Sequence, residues 1–251
     1  DEGELNFGSQ IYLVKKVVKD DKKIISATDI TQEKRTERLA SMGQVAAHLA
    51  HEIRNPIGSI SLLNSTLLKR AEPKILPIVE QIQKGIWRVE RIIKATLLFT
   101  KGLSITPKEF NFLDIKSECE EALKFYEYSK DITFELNFPD ALYSGDFDLI
   151  AMVFQNILFN AIDAIEEDEN DEGVVRLSYE KTPNEHKFIV YDSGVSIKNE
   201  NIVFEPFKTS KLKGNGLGLH LCLQIIEAHK GSIEITLEPK TFCINLPIKE
   251  K

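Results

Sequence analysis

At 251 residues with a formal net charge of −7, the chain exceeds the usual single folding unit and is too acidic for a general nucleic-acid binder, which needs a basic face. Hydrophobic residues make up 42% of it, enough for a core, yet no uninterrupted apolar run approaches the ~18 residues of a membrane span and no signal-peptide pattern opens it. The three scattered cysteines, Cys119, Cys222 and Cys243, fit reduced thiols in a cytosol better than a disulfide framework.

The chain begins at Asp1 and reads as a fragment of a longer protein. Residues 5–30 predict two short strands, roughly Gln10–Val18 and Lys23–Thr28, joined by a polar turn. Two strands alone are marginal, so this stretch reads as the severed tail of a sheet domain. Asp29, with Gln32 three positions on, has the form of a helix N-cap. From Leu39 to Leu67 the apolar residues advance in alternating threes and fours: Leu39, Met42, Ala46, Leu49, Ile53, Pro56, Ile60, Leu63, Leu67. That is a heptad stripe, with a proline expected to bend the helix at one seam position. After a turn near Arg70–Lys74, Val79, Ile82, Ile86, Val89, Ile93 and Thr96 repeat the spacing. Residues 31–103 therefore predict an all-α hairpin with a seam face uncovered, which a homodimeric four-helix bundle would bury.

From about Phe110 the pattern turns to α/β, giving a second unit over 108–251. Ile132–Phe138, Val174–Glu180, Phe188–Asp192 and two alternating stretches around Ile235 and Ile244 predict strands. Asp148–Glu166 and Leu217–Lys230 predict helices, the latter stopped by Gly231. The economical architecture is a helical layer on one antiparallel or mixed sheet, an α/β sandwich.

Four segments carry chemistry. In His51-Glu52-Ile53-Arg54-Asn55-Pro56, His51 lies about 200° round the helix from Leu49 and so faces away from the seam. An exposed helix histidine is ordinarily a surface residue, but Glu52 can reach an imidazole nitrogen and set its tautomer. Asn55 follows one turn on. His48 is exposed on the same wheel, and geometry alone does not choose between the two. Next, Asn156, Asn160 and Asp163 form one polar stripe on an apolar helix. Such a stripe is usually a solvated face, yet paired asparagines also suit a hard cation such as Mg²⁺ that keeps phosphate and water ligands. Third, Asp192-Ser193-Gly194 ends a strand, where a carboxylate accepts from an adenine amine, although the tripeptide alone is ordinary turn chemistry. Fourth, Gly214, Gly216, Leu217 and Gly218 open a helix, where close backbone approach and the helix dipole attract phosphate. The long irregular stretch between the last two has the profile of a lid.

In this order and spacing the segments resemble the sensor histidine kinases of two-component signalling. His51–Pro56 is similar to their phosphoacceptor motif, Asn156–Ala164 to their asparagine motif, and Asp192–Gly194 to their first glycine motif. Phe204–Lys211 is similar to their lid motif and Gly214–Leu219 to their second glycine motif. The wording looks most like the branch of nitrogen-regulation and flagellar-gene sensors, with Asp29-Ile30-Thr31 like the end of a PAS domain.

The resemblance implies a Bergerat-type ATP-binding domain behind the dimerising hairpin. It implies His51 as phosphoacceptor, Glu52 as its base, and Asn55 as water-positioner for a phosphatase activity. Asn160 would be the Mg²⁺ ligand and Asp192 the adenine reader. Asn156, Asp163, Gly194, Phe204, Lys211, Gly214, Gly216, Leu217 and Gly218 would complete the ATP site. It further implies a response-regulator receiver domain as partner, a cytoplasmic setting, and no nucleic acid or membrane contact for this fragment.

Two positions depart from the pattern. Ser196 replaces a usual glycine, at a cost of about 1 kcal/mol if positive φ is required. Asp163 stands where many relatives carry a basic residue, a charge that Lys208, Lys211 or Lys213 would have to supply. The other readings are an ATP-driven conformational machine of the related ATPase superfamily and a non-catalytic dimeric scaffold.

Overall fold

The computed structural model describes residues 2–8, 10–19, 22–197, 203–208 and 216–248, without the side chains of 18–19, 35–45 and 47. Three antiparallel strands open it, β1 (Glu2–Phe7), β2 (Gln10–Lys19) and β3 (Lys22–Asp29), with β2 central. The sequence pattern marks only the last two. Strand β1 alternates just two apolar residues with acids, and pairing with β2 sets it, Glu2 lying opposite Lys15 and bridged to it at 3.0 Å. Leu5, Phe7, Val17, Ile24 and Ile25 of this sheet are all exposed, so its described side chains form no buried core.

Helix α1 (Thr31–Leu68) follows directly. Asp29 does not sit at the N-cap position. Ile30 does, because Asp29 is still in the strand and its Oδ1 accepts from Thr31 N at 2.9 Å, short of the third residue that a capping box needs. Pro56 sits inside a continuous helix, where its missing N–H leaves the Glu52 carbonyl without its helical partner.

Helix α2 (Leu76–Lys101) returns against α1. Their shared face uses Ala50 and Ile57 of α1 against Val89, Ile93 and Leu97 of α2. Buried Asn64 adds hydrogen bonds to Val79 O at 3.3 Å and Gln83 Oε1 at 2.8 Å. This seam is offset by one residue from the heptad stripe. Leu49, Ile53, Ile60, Leu63 and Leu67 are 45–66% exposed, so most of the stripe points away from its own hairpin.

The second unit is a five-stranded mixed sheet in the order β5 (Asp131–Leu136), β7 (Glu172–Lys181), β8 (Glu185–Asp192), β10 (Lys240–Pro247), β9 (Ser232–Leu237). Only β5 and β7 run parallel. A small ribbon of β4 (Lys108–Asn111) and β6 (Leu142–Gly145) sits beside it. Helix α4 (Phe147–Glu166), capped by Asp146, and helix α5 (Gly218–Ala228) pack on the sheet. Helix α3 (Phe112–Phe125) lies against α4. It begins with an Asn111/Asp114 capping box, a local signal that the apolar spacing does not reveal. Phe112, Phe154, Phe188, Ile157 and Ile162 are fully buried at the centre. Among the described helices, α4 is long and apolar enough to cross a membrane by composition, and 72% of that window is buried in this core.

Helix α5 ends differently from expectation. Lys230, not Gly231, takes the left-handed conformation, with φ 62°. Gly231 is needed for space instead, since a Cβ there would lie 2.2 Å from Asn245 O.

Candidate nucleotide and phosphoacceptor sites

The polar stripe of α4 is not a solvated face. Asn156, Asn160 and Asp163 are half-buried between apolar neighbours that face the core. Asn156 lies beside the start of α5, its side-chain amide 3.7 Å from where a Cβ on Gly218 would project. The second glycine segment and the asparagine stripe therefore share one rim. The N-cap residue of α5, Leu217, has an apolar side chain that makes no cap hydrogen bond, and a helix N-terminus attracts phosphate.

Asp192 ends β8 and is only 4% exposed. Its Oδ1 accepts from Gly194 N at 3.0 Å and pairs with Lys240 Nζ at 2.5 Å. Gly194 lies so tightly on the last turn of α4 that a Cβ would fall 2.3 Å from the Ala164 carbonyl carbon, and Val195 N donates to Ala164 O at 3.0 Å. This packing is why the first glycine motif needs a glycine. Ser196 needs no such allowance: among the described non-glycine residues, positive φ occurs at Phe207 and Lys230, so serine there carries no left-handed strain.

Phe204 rests against the core and its carbonyl meets His220 Nδ1 at 2.8 Å. Gly216, at φ 66°, lets the chain pass the backbone of Phe207, where a Cβ would come within 2.6 Å. Phe207 in turn packs edge-on against Phe99 of α2 at 5.3 Å. Lys211 and Gly214 fall outside the described residues, as does Lys213.

Asp163 belongs to a junction between the two units. Tyr126 Oη donates to Asp163 Oδ1 at 2.6 Å. Arg91 of α2 lies 4.3 Å over the Phe159 ring and near those of Trp87 and Tyr126. Burial pulls the Arg91 guanidinium down from its ordinary value, opposed by Tyr126 and Asp163. The cation close to Asp163 thus comes from the hairpin helix, whereas Lys208 is exposed on the lid. Burial, and then Asp163, push the Tyr126 hydroxyl well above its usual range, so it stays a donor.

On α1, His51, Glu52 and Asn55 are all exposed. Glu52 does not face His51 in this conformation. It reaches back one turn to His48, Oε1 to Nε2 at 3.2 Å, because residues four apart share a helix face and adjacent ones do not.

The residues present fit an adenine nucleotide: a buried carboxylate, Asp192, beside the close-packed Gly194, and half-buried asparagines on α4, of which Asn156 lies next to Gly218 at the start of α5. No group of three metal-binding His, Cys, Asp or Glu side chains occurs among the described residues. This is compatible with Mg²⁺, which takes few protein ligands and relies on phosphates and water.

Two family sequence models match in the expected order. Residues 41–104 match the His Kinase A (phospho-acceptor) domain. Residues 145–250 match the histidine kinase-, DNA gyrase B- and HSP90-like ATPase. The chain belongs to the two-component sensor histidine kinases. Sensor histidine kinase FlgS of Helicobacter pylori is 51% identical over 248 residues, covering 97% of this chain and 64% of that protein. Sensor histidine kinase ZraS of Salmonella typhimurium is 31% identical, covering 86% of this chain and 48% of ZraS. The chain thus spans about half to two thirds of the length of these relatives. Histidine kinase ThkA, solved in complex with response regulator protein TrrA, aligns over 99% of this chain and 78% of its own at 26% identity, with a TM-score of 0.51. The sensor-kinase architecture, a helical hairpin followed by the ATPase-type domain, is therefore present along this chain in the order its motifs imply.

Proposed function

We propose that this chain is the core of an ATP-dependent kinase that phosphorylates its own His51 and passes the group to a receiver-domain aspartate of a response regulator. What supports the reading is one pairing of opposites. A solvent-facing histidine stands on a helix with no packing role for it, and a separate unit of the same chain carries a buried carboxylate, Asp192, and half-buried asparagines on α4.

In this mechanism Asp192 accepts from the adenine amine and Gly194 gives the base room. Asn156 and the start of α5 face the phosphates. Asn160 would hold Mg²⁺, which would supply charge neutralisation at the phosphates. Catalysis of this kind is mainly positioning. The neutral imidazole of His51 uses a ring nitrogen to attack the γ-phosphorus as the bond to the ADP oxygen breaks. Glu52, one side-chain rotation from its present bond with His48, accepts the proton that the ring sheds. The same exposed face then receives the receiver domain, whose aspartate takes the phosphoryl group. Asn55 is placed to hold water for the reverse, phosphatase function.

The division follows: 1–30 as the end of a PAS-like sensor domain, 31–103 as the dimerising phosphotransfer hairpin, and 108–251 as the ATP-binding domain. The exposed Leu49–Leu67 stripe supports homodimerisation, and the three free thiols, two buried and one half-buried, a cytoplasmic setting. Burial pushes the Cys222 thiol up to about 12, so it is inert rather than reactive.

The test is incubation with γ-labelled Mg·ATP followed by addition of a purified receiver domain. The proposal predicts acid-labile label on the chain that moves to the receiver. Release of inorganic phosphate without label on the chain would mark a conformational ATPase instead, and binding with neither outcome a scaffold.

A further inference from the structure

Lys240, the ion-pair partner of Asp192, has no role in the proposed phosphoryl transfer, and its placement is unusual. Lysine is almost never fully buried unless paired, yet Lys240 is 7% exposed and its side chain only 6%. It starts β10 on the same face as buried Phe242, Ile244 and Leu246, the face turned toward the helices. Strand β10 pairs with β8, Thr241 lying opposite Tyr191, which brings Lys240 beside Asp192. Its Nζ lies 2.5 Å from Asp192 Oδ1 and donates to Val195 O at 2.6 Å.

A buried ion pair does not by itself stabilise a fold, since apolar residues of similar volume often do as well. The pair therefore calls for a further reason, and its location supplies one. The carboxylate that Lys240 contacts is the one assigned to the base of the nucleotide. An ammonium carries three hydrogens, and Asp192 and Val195 take two of them among the described contacts. A cation in a base pocket with a hydrogen to give recognises a ring nitrogen.

We infer that Lys240 is a second base-reading residue of this kinase, donating to N1 of adenine while Asp192 accepts from the adjacent amine. The inference rests on the proposed nucleotide site at Asp192. Along its Watson–Crick edge adenine presents a donor, the exocyclic amine, next to an acceptor, N1. A carboxylate joined to an ammonium presents an acceptor next to a donor, the complementary order. Guanine reverses the order, with a carbonyl oxygen followed by N–H, and would set its oxygen against Asp192. A pocket whose buried polar groups are left unpaired by the wrong ligand discriminates strongly.

The test compares equilibrium binding of ATP and 1-deaza-ATP, in which C–H replaces N1, to the wild-type chain and to Lys240→Thr. Hydrogen bonds to charged groups imply at least about a tenfold weaker affinity of the wild type for 1-deaza-ATP. In Lys240→Thr that penalty should shrink to within about threefold while ATP itself binds more weakly. No penalty in the wild type, or an equal penalty in both proteins, overturns the inference. Because the substitution strands a buried carboxylate and can unfold the domain, a crystal structure of the wild type with ATP decides independently. Nζ within about 3.2 Å of N1 supports the role, and a water there in place of the lysine overturns it. Wild-type protein that binds no ATP at all would defeat the proposed function and the inference with it, a result readily told apart from ATP binding that ignores N1.

Discussion

Helices α1 and α4 both carry a long apolar stripe beside polar residues, and the chain uses them in opposite ways. Helix α4 has 13 of its 20 residues buried. Being apolar around more than half its circumference, it must lie inside, and its few polar residues become a half-buried site. Helix α1 has a stripe only one residue wide per turn. Ala50, Ile57 and Asn64 satisfy its own hairpin, while Leu49, Ile53, Ile60, Leu63 and Leu67 stay exposed. A broad stripe builds a pocket. A narrow one keeps a face for a partner and another for chemistry in solvent.

The sharpest way to break this comparison is to truncate a large apolar side chain on each of the two helices. Phe154→Ala empties a fully buried site between Phe138 and Phe188, at ring distances of 5.1 and 4.9 Å. It should destabilise the ATP-binding unit by about 3–5 kcal/mol in denaturant titration. Leu63→Ala, on an exposed position, should leave that transition unmoved. The complementary change is Leu63→Glu combined with Ile60→Glu. It should shift the proposed dimer to monomer in sedimentation, with ATP affinity unchanged, because neither residue touches the pocket.

A smaller effect sharpens the buried side. His186 is 5% exposed and shares a hydrogen bond with Tyr179 Oη at 2.9 Å. Burial, helped by Lys181, lowers its pKa below the ordinary 6.5. The unfolded chain then takes up a proton that the folded domain resists. Stability from this group is complete above pH 6.5 and falls as pH drops through 6.5 toward the folded value. Unfolding midpoints at pH 7.5 and 5.5 should differ more in the wild type than in His186→Phe. The smallest effect belongs to Ser196→Gly. Since Ser196 has no positive φ, the change should alter stability by no more than about 0.5 kcal/mol.

Much of this arrangement was legible in the residues. The hairpin, its uncovered seam and the mixed sheet with helices on it follow from local spacing, while the neighbourhood of Asn156 and Gly218 follows from the resemblance. What escaped depends on contacts between distant segments. Lys240 carries no motif of its own and gains meaning only when β10 pairs with β8. Asp163 reads as a phosphate neighbour, yet Tyr126 and Arg91 draw it into the junction with α2. Glu52 reads as the partner of His51, but helical geometry gives it His48. Strand β1 has too few apolar residues to show itself, whereas α3 carries both an Asn111/Asp114 capping box and a helical spacing of buried residues, Phe112, Ile115, Cys119 and Ala122, which the sequence reading passes over.

That exchange of partners bears on the central claim, since His48 and His51 are both exposed and only one is assigned the phosphoryl group. The direct measurement is to label the wild type, His51→Gln and His48→Gln with γ-labelled Mg·ATP and map the acid-labile phosphate. The account predicts label on His51 of the wild type, none on His51→Gln, and labelling retained in His48→Gln. Label that persists in His51→Gln, or that disappears only in His48→Gln, would contradict it.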